Sequence, residues 1–206
     1  MRNCTDILFA AQATVPRSRE DRERVVDWLL ETARRHPARR VVVALNGAPG
    51  DSVEHPYDQL LADRADVPAN LIVSGASLFS HLERAAGLVT VSSTAAIQAI
   101  AVGVPVIALD DFGVSLQMRN SVFEGSGLLA GSDAMCAATF GTPLEAWLDE
   151  NYFHAPTEES WVVRIEAAAA RRELAPLALR RQFRGRLSLR STRARLASAV
   201  ASIHTL

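Results

Sequence analysis

Residues 87–113 read GLVTVSSTAAIQAIAVGVPVIALDDFG, and the succession of residue types in that stretch decides the fold. Gly87–Val91 is a short apolar, β-branched run. It breaks into the hydroxyl residues Ser92, Ser93 and Thr94, and a helix is predicted over Ser93–Val102. Pro105–Leu109 is a second apolar run, followed by Asp110 and Asp111. Neither run alternates with polar residues. Strands covered by helices on both faces of a parallel sheet read this way. Parallel neighbours need crossovers, and these are right-handed by default.

The same alternation extends in both directions. Upstream, strands are predicted at Asp6–Ala11, Arg40–Leu45 and Asn70–Val73, with helices at Ser18–His36, Tyr57–Ala62 and Leu78–Ala85 between them. Ser18 opens its helix with Asp21 three positions on, and Glu20 and Asp21 favour its positive end. Val25, Val26, Leu29, Leu30 and Ala33 share one face of that helix. Downstream, Gln117–Phe123 is predicted helical and Gly127–Ala130 a sixth, edge strand. The fold class is therefore α/β, a Rossmann-like doubly wound parallel sheet. From about Thr142 the pattern changes to helical segments alone, at Glu145–Glu150, Glu158–Glu173 and Leu177–Ile203. The expected division is a sheet domain at 1–141 and a helical C-terminal extension at 142–206.

Bulk properties narrow the class. The 206 residues are 49% hydrophobic and 22% charged with a formal net charge of -1, which describes an ordinary globular chain and gives no reason to expect nucleic acid as a partner. All basic residues are arginine, and they crowd towards the end, from Arg180 to Arg195. That segment reads as a basic amphipathic helix, a solvated face or at most a peripheral contact with a membrane surface. Cys4 and Cys136 form neither a metal spacing nor a disulfide framework. No run reaches the roughly 20 apolar residues that span a bilayer, and the N-terminus has no signal-peptide pattern. A cytoplasmic location is expected.

Ligands of open parallel sheets bind beyond the carboxyl ends of the strands, so the residues just after each strand are the candidates. Ser92, Ser93 and Thr94 precede a helix whose first N–H groups attract anions, and Ala95 and Ala96 leave room for close approach. These hydroxyls either bind a phosphate or simply cap the helix. The loop Asn46–His55 is long, with Gly47 and Gly50, and His55 either meets a ligand or lies in solvent. It lacks the Gly-Lys-Ser/Thr of a P-loop. Asp110 and Asp111 can accept sugar hydroxyls or a proton, or else serve a turn. Asn120 and Glu124, four apart, are expected on one helical face, towards ligand or merely polar. Gln12 and Pro16-Arg17 sit at the same rim. His81, Tyr152, Phe153 and His154 read first as packing or surface residues. No metal is expected, since one Asp pair is too little for a site.

LFAAQATVPRSREDRE, LVTVSSTAAIQAIAVGVPVIALDDFGV, NSVFEGSGLL and WLDENYFH together resemble the carboxyl-terminal half of a family of actinobacterial proteins classed as GT-B glycosyltransferases, over about Ile7 to His154. The run SSTAA-x-x-A-x-x-x-G-x-P-V is also similar to capsule enzymes, including Kdo transferases and polysialyltransferases. There a Ser-Ser/Thr motif and a His-Pro motif hold the phosphate and base of a CMP-sugar. The resemblance places those motifs at Ser92–Thr94 and His55-Pro56. It implies a nucleotide-sugar donor, CMP- or UDP-linked, a glycan or metabolite acceptor and no cofactor. His55, Asp110 and Asp111 become the catalytic candidates. Gln12, Ser92, Ser93, Thr94, Asn120 and Glu124 become the substrate-binding ones. Two departures accompany it. Where a basic residue is expected after the second strand, the chain has Ala44-Leu45-Asn46. One sheet also stands where GT-B enzymes use two, so a second half in trans or a homodimer is expected. The alternatives are a non-catalytic nucleotide- or partner-binding module and a nucleotide-sugar epimerase.

Overall fold

A computed structural model describes residues 4–45, 56–151, 153 and 161–170. The chain divides into two compact units, Met1–His154 and Ala155–Leu206. The first unit contains β1 (Asp6–Ala10), α1 (Arg19–Arg35), β2 (Val41–Ala44), α2 (Tyr57–Ala62), β3 (Leu71–Ser74), α3 (Leu78–Leu82), β4 (Ala85–Thr90), α4 (Ala95–Ala101), β5 (Val106–Leu109), β6 (Leu129–Ala130), α5 (Ser132–Cys136) and α6 (Glu145–Glu150). The described part of the second unit is the helix α7 (Trp161–Ala170).

The sheet order is β3-β2-β1-β4-β5-β6, and every pairing is parallel. Successive side chains of a strand face opposite ways, and the two cores follow that rule. Ile7, Phe9, Val41, Val43, Val89, Ile107 and Leu109 pack with Val25, Leu29, Tyr57, Leu61 and Met135 from α1, α2 and α5. Leu8, Ala10, Val42, Ala44, Leu88, Val106 and Ala108 pack with Leu82, Ala95, Ala96, Ala99 and Trp147 from α3, α4 and α6. Both faces are covered, which is why the strands read as unbroken apolar runs. The second face is built largely from alanine where α4 meets the sheet.

Helix α1 starts as its sequence predicts. The Ser18 hydroxyl accepts the Asp21 N–H at 3.0 Å and donates to the Asp21 carboxylate at 2.7 Å. His36 closes the helix.

The segment 117–123 corrects the sequence-based expectation of a helix. Within it only Ser121–Phe123 is helical, as one 3-10 turn, and the residues before it form a non-helical turn. Arg119 adopts a left-handed φ of 58°, which no right-handed helix accommodates. Asn120 is fully buried and holds the loop from inside. Its Oδ1 accepts the Ser115 N–H at 3.1 Å, and its Nδ2 donates to the carbonyls of Gly113 (3.0 Å) and Leu109 (3.4 Å). Helix α5 carries no sequence-based expectation. Its first N–H, from Ser132, is taken by the Asp111 carboxylate at 2.8 Å, which also accepts the Ser132 hydroxyl at 2.7 Å.

Candidate functional site

Strands β1 and β4 are neighbours, yet the chain leaves β1 for α1 on one face and β4 for α4 on the other. Their carboxyl ends therefore diverge and open a crevice, the place where sheets of this order bind ligands. Gln12, just past β1, bridges it by donating from Nε2 to the Ser92 carbonyl just past β4.

The turn between β4 and α4 is fixed from within. Thr90, buried in β4, donates its hydroxyl to the Ala10 carbonyl at 3.1 Å and accepts the Ser93 N–H at 3.1 Å. Ser92 donates its hydroxyl to the Arg119 carbonyl. Ser93 accepts the Ala95 N–H on its Oγ at 3.1 Å and the Ala96 N–H on its carbonyl at 3.0 Å. Ser93 thus does cap the helix. An oxygen that accepts one N–H still has its own proton to donate. Thr94 is exposed and its side chain makes no capping bond.

Ser93 and Thr94 stand between two hollows. One, of about 340 Å³, is walled by small residues from the ends of β1, β2 and β3 and the start of α4, among them Ala11, Ala44, Gly75, Ser77 and Ala95. The other, of about 330 Å³, lies on the β5 side and is lined by Gln12, Ser92, Arg119, Val122 and Phe123 with Ser93 and Thr94. A smaller one of about 240 Å³ sits outside β1, against Ala13, Thr14, Arg17 and Arg22.

The structure thus brings Gln12, Ser92, Ser93 and Thr94 together. Asp110 lies at the end of β5, partly exposed, with Gly131 of the α5 turn close to its carboxylate. Asp111 is engaged on Ser132, so its carboxylate serves the fold. Asn120 and Glu124 do not share a helical face, because no helix forms there. Asn120 spends its amide on the loop, and Glu124 is exposed. His55 and the Asn46–His55 loop lie outside the described residues, as do Tyr152, His154 and the arginines from Arg180 to Arg195. Phe153 packs against the α4-side core. His81 sits away from the rim, buried near the Asp6 and Arg40 charges. Among the described residues, no three His, Cys, Asp or Glu side chains gather into a metal-binding group, and no helix is long and apolar enough to cross a membrane.

Two rim residues escape a reading of the sequence alone. Thr90 looks like one more β-branched residue in a buried strand. Arg119 is carried to the crevice by a loop whose path no periodicity reveals.

No curated protein matches the chain in sequence. Among solved structures, it is similar to the UDP-GlcNAc 2-epimerase from Neisseria meningitidis bound to UDP-GlcNAc, at 14% identity and a TM-score of 0.54, over 82% of this chain and 46% of that one. It also matches the spinosyn forosaminyltransferase SpnP, at 22% identity and a TM-score of 0.44, over 82% of this chain and 45% of that one. A third match is TarM, at 16% identity and a TM-score of 0.43, over 66% and 28%. The chain spans less than half the length of each, and the first likeness is one of fold. A family model described as "Putative glycosyltransferase (DUF6716)" matches residues 1–168, the whole of the sheet and the crevice, and the chain belongs to that family.

Proposed function

We propose that this chain is the donor-binding part of a glycosyltransferase, a GT-B half that holds a nucleotide-sugar by its phosphate. The observation that carries the reading is the Ser93–Thr94 turn at the divergence of β1 and β4, with open space on both sides. Membership of a glycosyltransferase family supports the reaction class.

Sugar transfer leaves a nucleoside phosphate behind, and stabilising its developing charge is the main electrostatic task. Thr94 offers an exposed hydroxyl, and Ser93 keeps its proton for a ligand. The helix start contributes less than its sequence promises. The N–H groups of Ser93, Ala95 and Ala96 are already taken inside the protein. What the turn itself offers a phosphate is therefore side-chain hydroxyls rather than a row of amides. In this reading Asp110 accepts hydroxyls of ribose or sugar, and His55 is the partner for the nucleotide or leaving group. The reading calls for a second half to bind the acceptor.

Calorimetric titration with UDP, CMP and GDP tests this. One of the three is expected to bind, and Thr94→Val is expected to weaken it about tenfold, the loss of one hydrogen bond of roughly 1.4 kcal/mol. Hydrolysis of the matching nucleotide-sugar would then place the chain among enzymes. Failure of all three to bind at millimolar concentration sinks the donor-site reading and leaves a module that binds only a partner protein.

A further inference from the structure

We infer that Arg119 supplies the positive charge of the donor site, and that the β5-side hollow is where the phosphate sits. The inference rests on the reading that this crevice takes a nucleotide-sugar, and it adds the residue that makes the site electrostatically workable.

A nucleoside diphosphate is a polyanion, and neutral hydroxyls cannot compensate its charge. The turn amides of Ser93, Ala95 and Ala96 are already partnered. Among the described residues, the end of β2 offers only Ala44 and Leu45. Among the described residues that line the two hollows, the small-residue hollow has no charged member, whereas the β5-side hollow has Arg119 facing Gln12, Ser93 and Thr94. A guanidinium beside hydroxyl and amide donors makes a phosphate-binding set, because its planar fork matches phosphate oxygens in pairs.

Arg119 is also uncommitted. Arg34, Arg35, Arg40, Arg64 and Arg84 each sit against a carboxylate. Arg119, exposed at the crevice, has no such partner among the described residues. Its backbone points the same way. A left-handed φ of 58° in a residue other than glycine is unfavourable. Here it is held by the Ser92 hydroxyl on the Arg119 carbonyl and by the three bonds of the neighbouring Asn120. Ser92, the first hydroxyl of the turn, therefore acts at one remove: it ties the arginine loop to the crevice.

The test compares wild type, Arg119→Gln, Arg119→Lys and Arg119→Gly by titration with UDP, uridine and inorganic pyrophosphate. Glycine suits the left-handed backbone, so that variant guards against misfolding, and thermal midpoints verify all four. Arg119→Gln and Arg119→Gly are expected to lose about 10- to 100-fold in UDP and pyrophosphate affinity, the range of a charge-assisted contact, with uridine unchanged and lysine intermediate. Equal UDP affinity in wild type and Arg119→Gln overturns the assignment while the donor-site reading stands. If pyrophosphate binds through Arg119 but no nucleotide binds, the anion site stands and the nucleotide-sugar reading falls. Binding of neither to wild type overturns both.

Discussion

At the amino end of the sheet, Asp6 is buried and clasps two arginines. Arg40 meets it at 2.6 Å and Arg84 at 3.4 Å, while the Thr5 hydroxyl donates to its other oxygen at 3.1 Å. At the carboxyl end, Arg119 and Thr94 face open space with neither an ion pair nor a cap among the described residues to occupy their side chains. The same residue chemistry is closed on itself at one end and left open at the other. Charges at the amino end lower the energy of the fold. At the carboxyl end, the Arg119 charge makes no such ion pair among the described residues. The contrast says where to cut if one wants to separate stability from binding.

The contrast breaks hardest at Arg22, the rim arginine that is invested in the fold. It is buried, and it donates to the carbonyls of Pro16 (2.8 Å), Ala13 (2.8 Å) and Gln12 (3.1 Å), with its guanidinium over the Tyr57 ring. Arg22→Met strands those carbonyls and frees the loop that positions Gln12. Urea unfolding is expected to show a loss of about 3 kcal/mol, and nucleotide affinity is expected to fall with it. A variant that kept its stability would show that the loop holds itself.

Asp6→Asn sharpens the contrast. It removes the charge at the closed end, with an expected cost of about 2 kcal/mol because both arginines are about half exposed and can turn to water. Nucleotide affinity is expected to stay within twofold. A large loss of binding would mean that the two ends are coupled through β1.

The smallest effect is one of pH. Burial would raise the Asp6 carboxyl, but its hydrogen bonds from Arg40 and Thr5 and the charges of Arg40 and Arg84 outweigh that and hold it below its ordinary value. Its contribution is complete above the ordinary carboxylate pKa and is lost as pH falls through the depressed value. His81 is pushed down by burial and by Arg40, with Asp6 opposing. Its Nε2 is buried with no hydrogen-bond partner among the described residues. The unfolded chain takes up that proton first, so stability begins to decline below about pH 6.5, the ordinary histidine pKa. The thermal midpoint is expected to be flat above neutrality and to fall gently towards pH 5.5, and His81→Gln is expected to remove that first part of the fall. An unchanged slope in the variant would assign it elsewhere.

Most of the sheet was legible because a parallel strand covered on both sides has to be apolar throughout, as Val41–Ala44 and Val106–Leu109 are. Helix α1 was legible to the residue at its start because Ser18 and Asp21 announce a cap. The site was legible in part. Hydroxyls after β4 mark the crevice, but nothing local says that the Ser93 cap would consume the amides. The loop after β5 was misread because its conformation depends on distant partners. A buried asparagine replaces helical hydrogen bonds there, and a serine 27 residues away holds the Arg119 carbonyl. The same holds for Asp111, whose purpose is visible only once Ser132 is beside it. Periodicity reports which face is buried, and these residues act through folds of the chain that periodicity does not encode.

The alanine contact between α4 and the sheet has a consequence for the mouth of the crevice. Ala95, Ala96 and Ala99 rest on a floor that includes Ala10, Ala44 and Ala108, so this helix is seated on single methyl groups with little slack. A longer side chain at any of them would act as a shim, tilting the helix outward and carrying Thr94 with it. The width of the opening is thus set by the smallest side chains beneath it, and at Ala99 or Ala108, which line neither hollow, an aperture made this way can be retuned one methylene at a time.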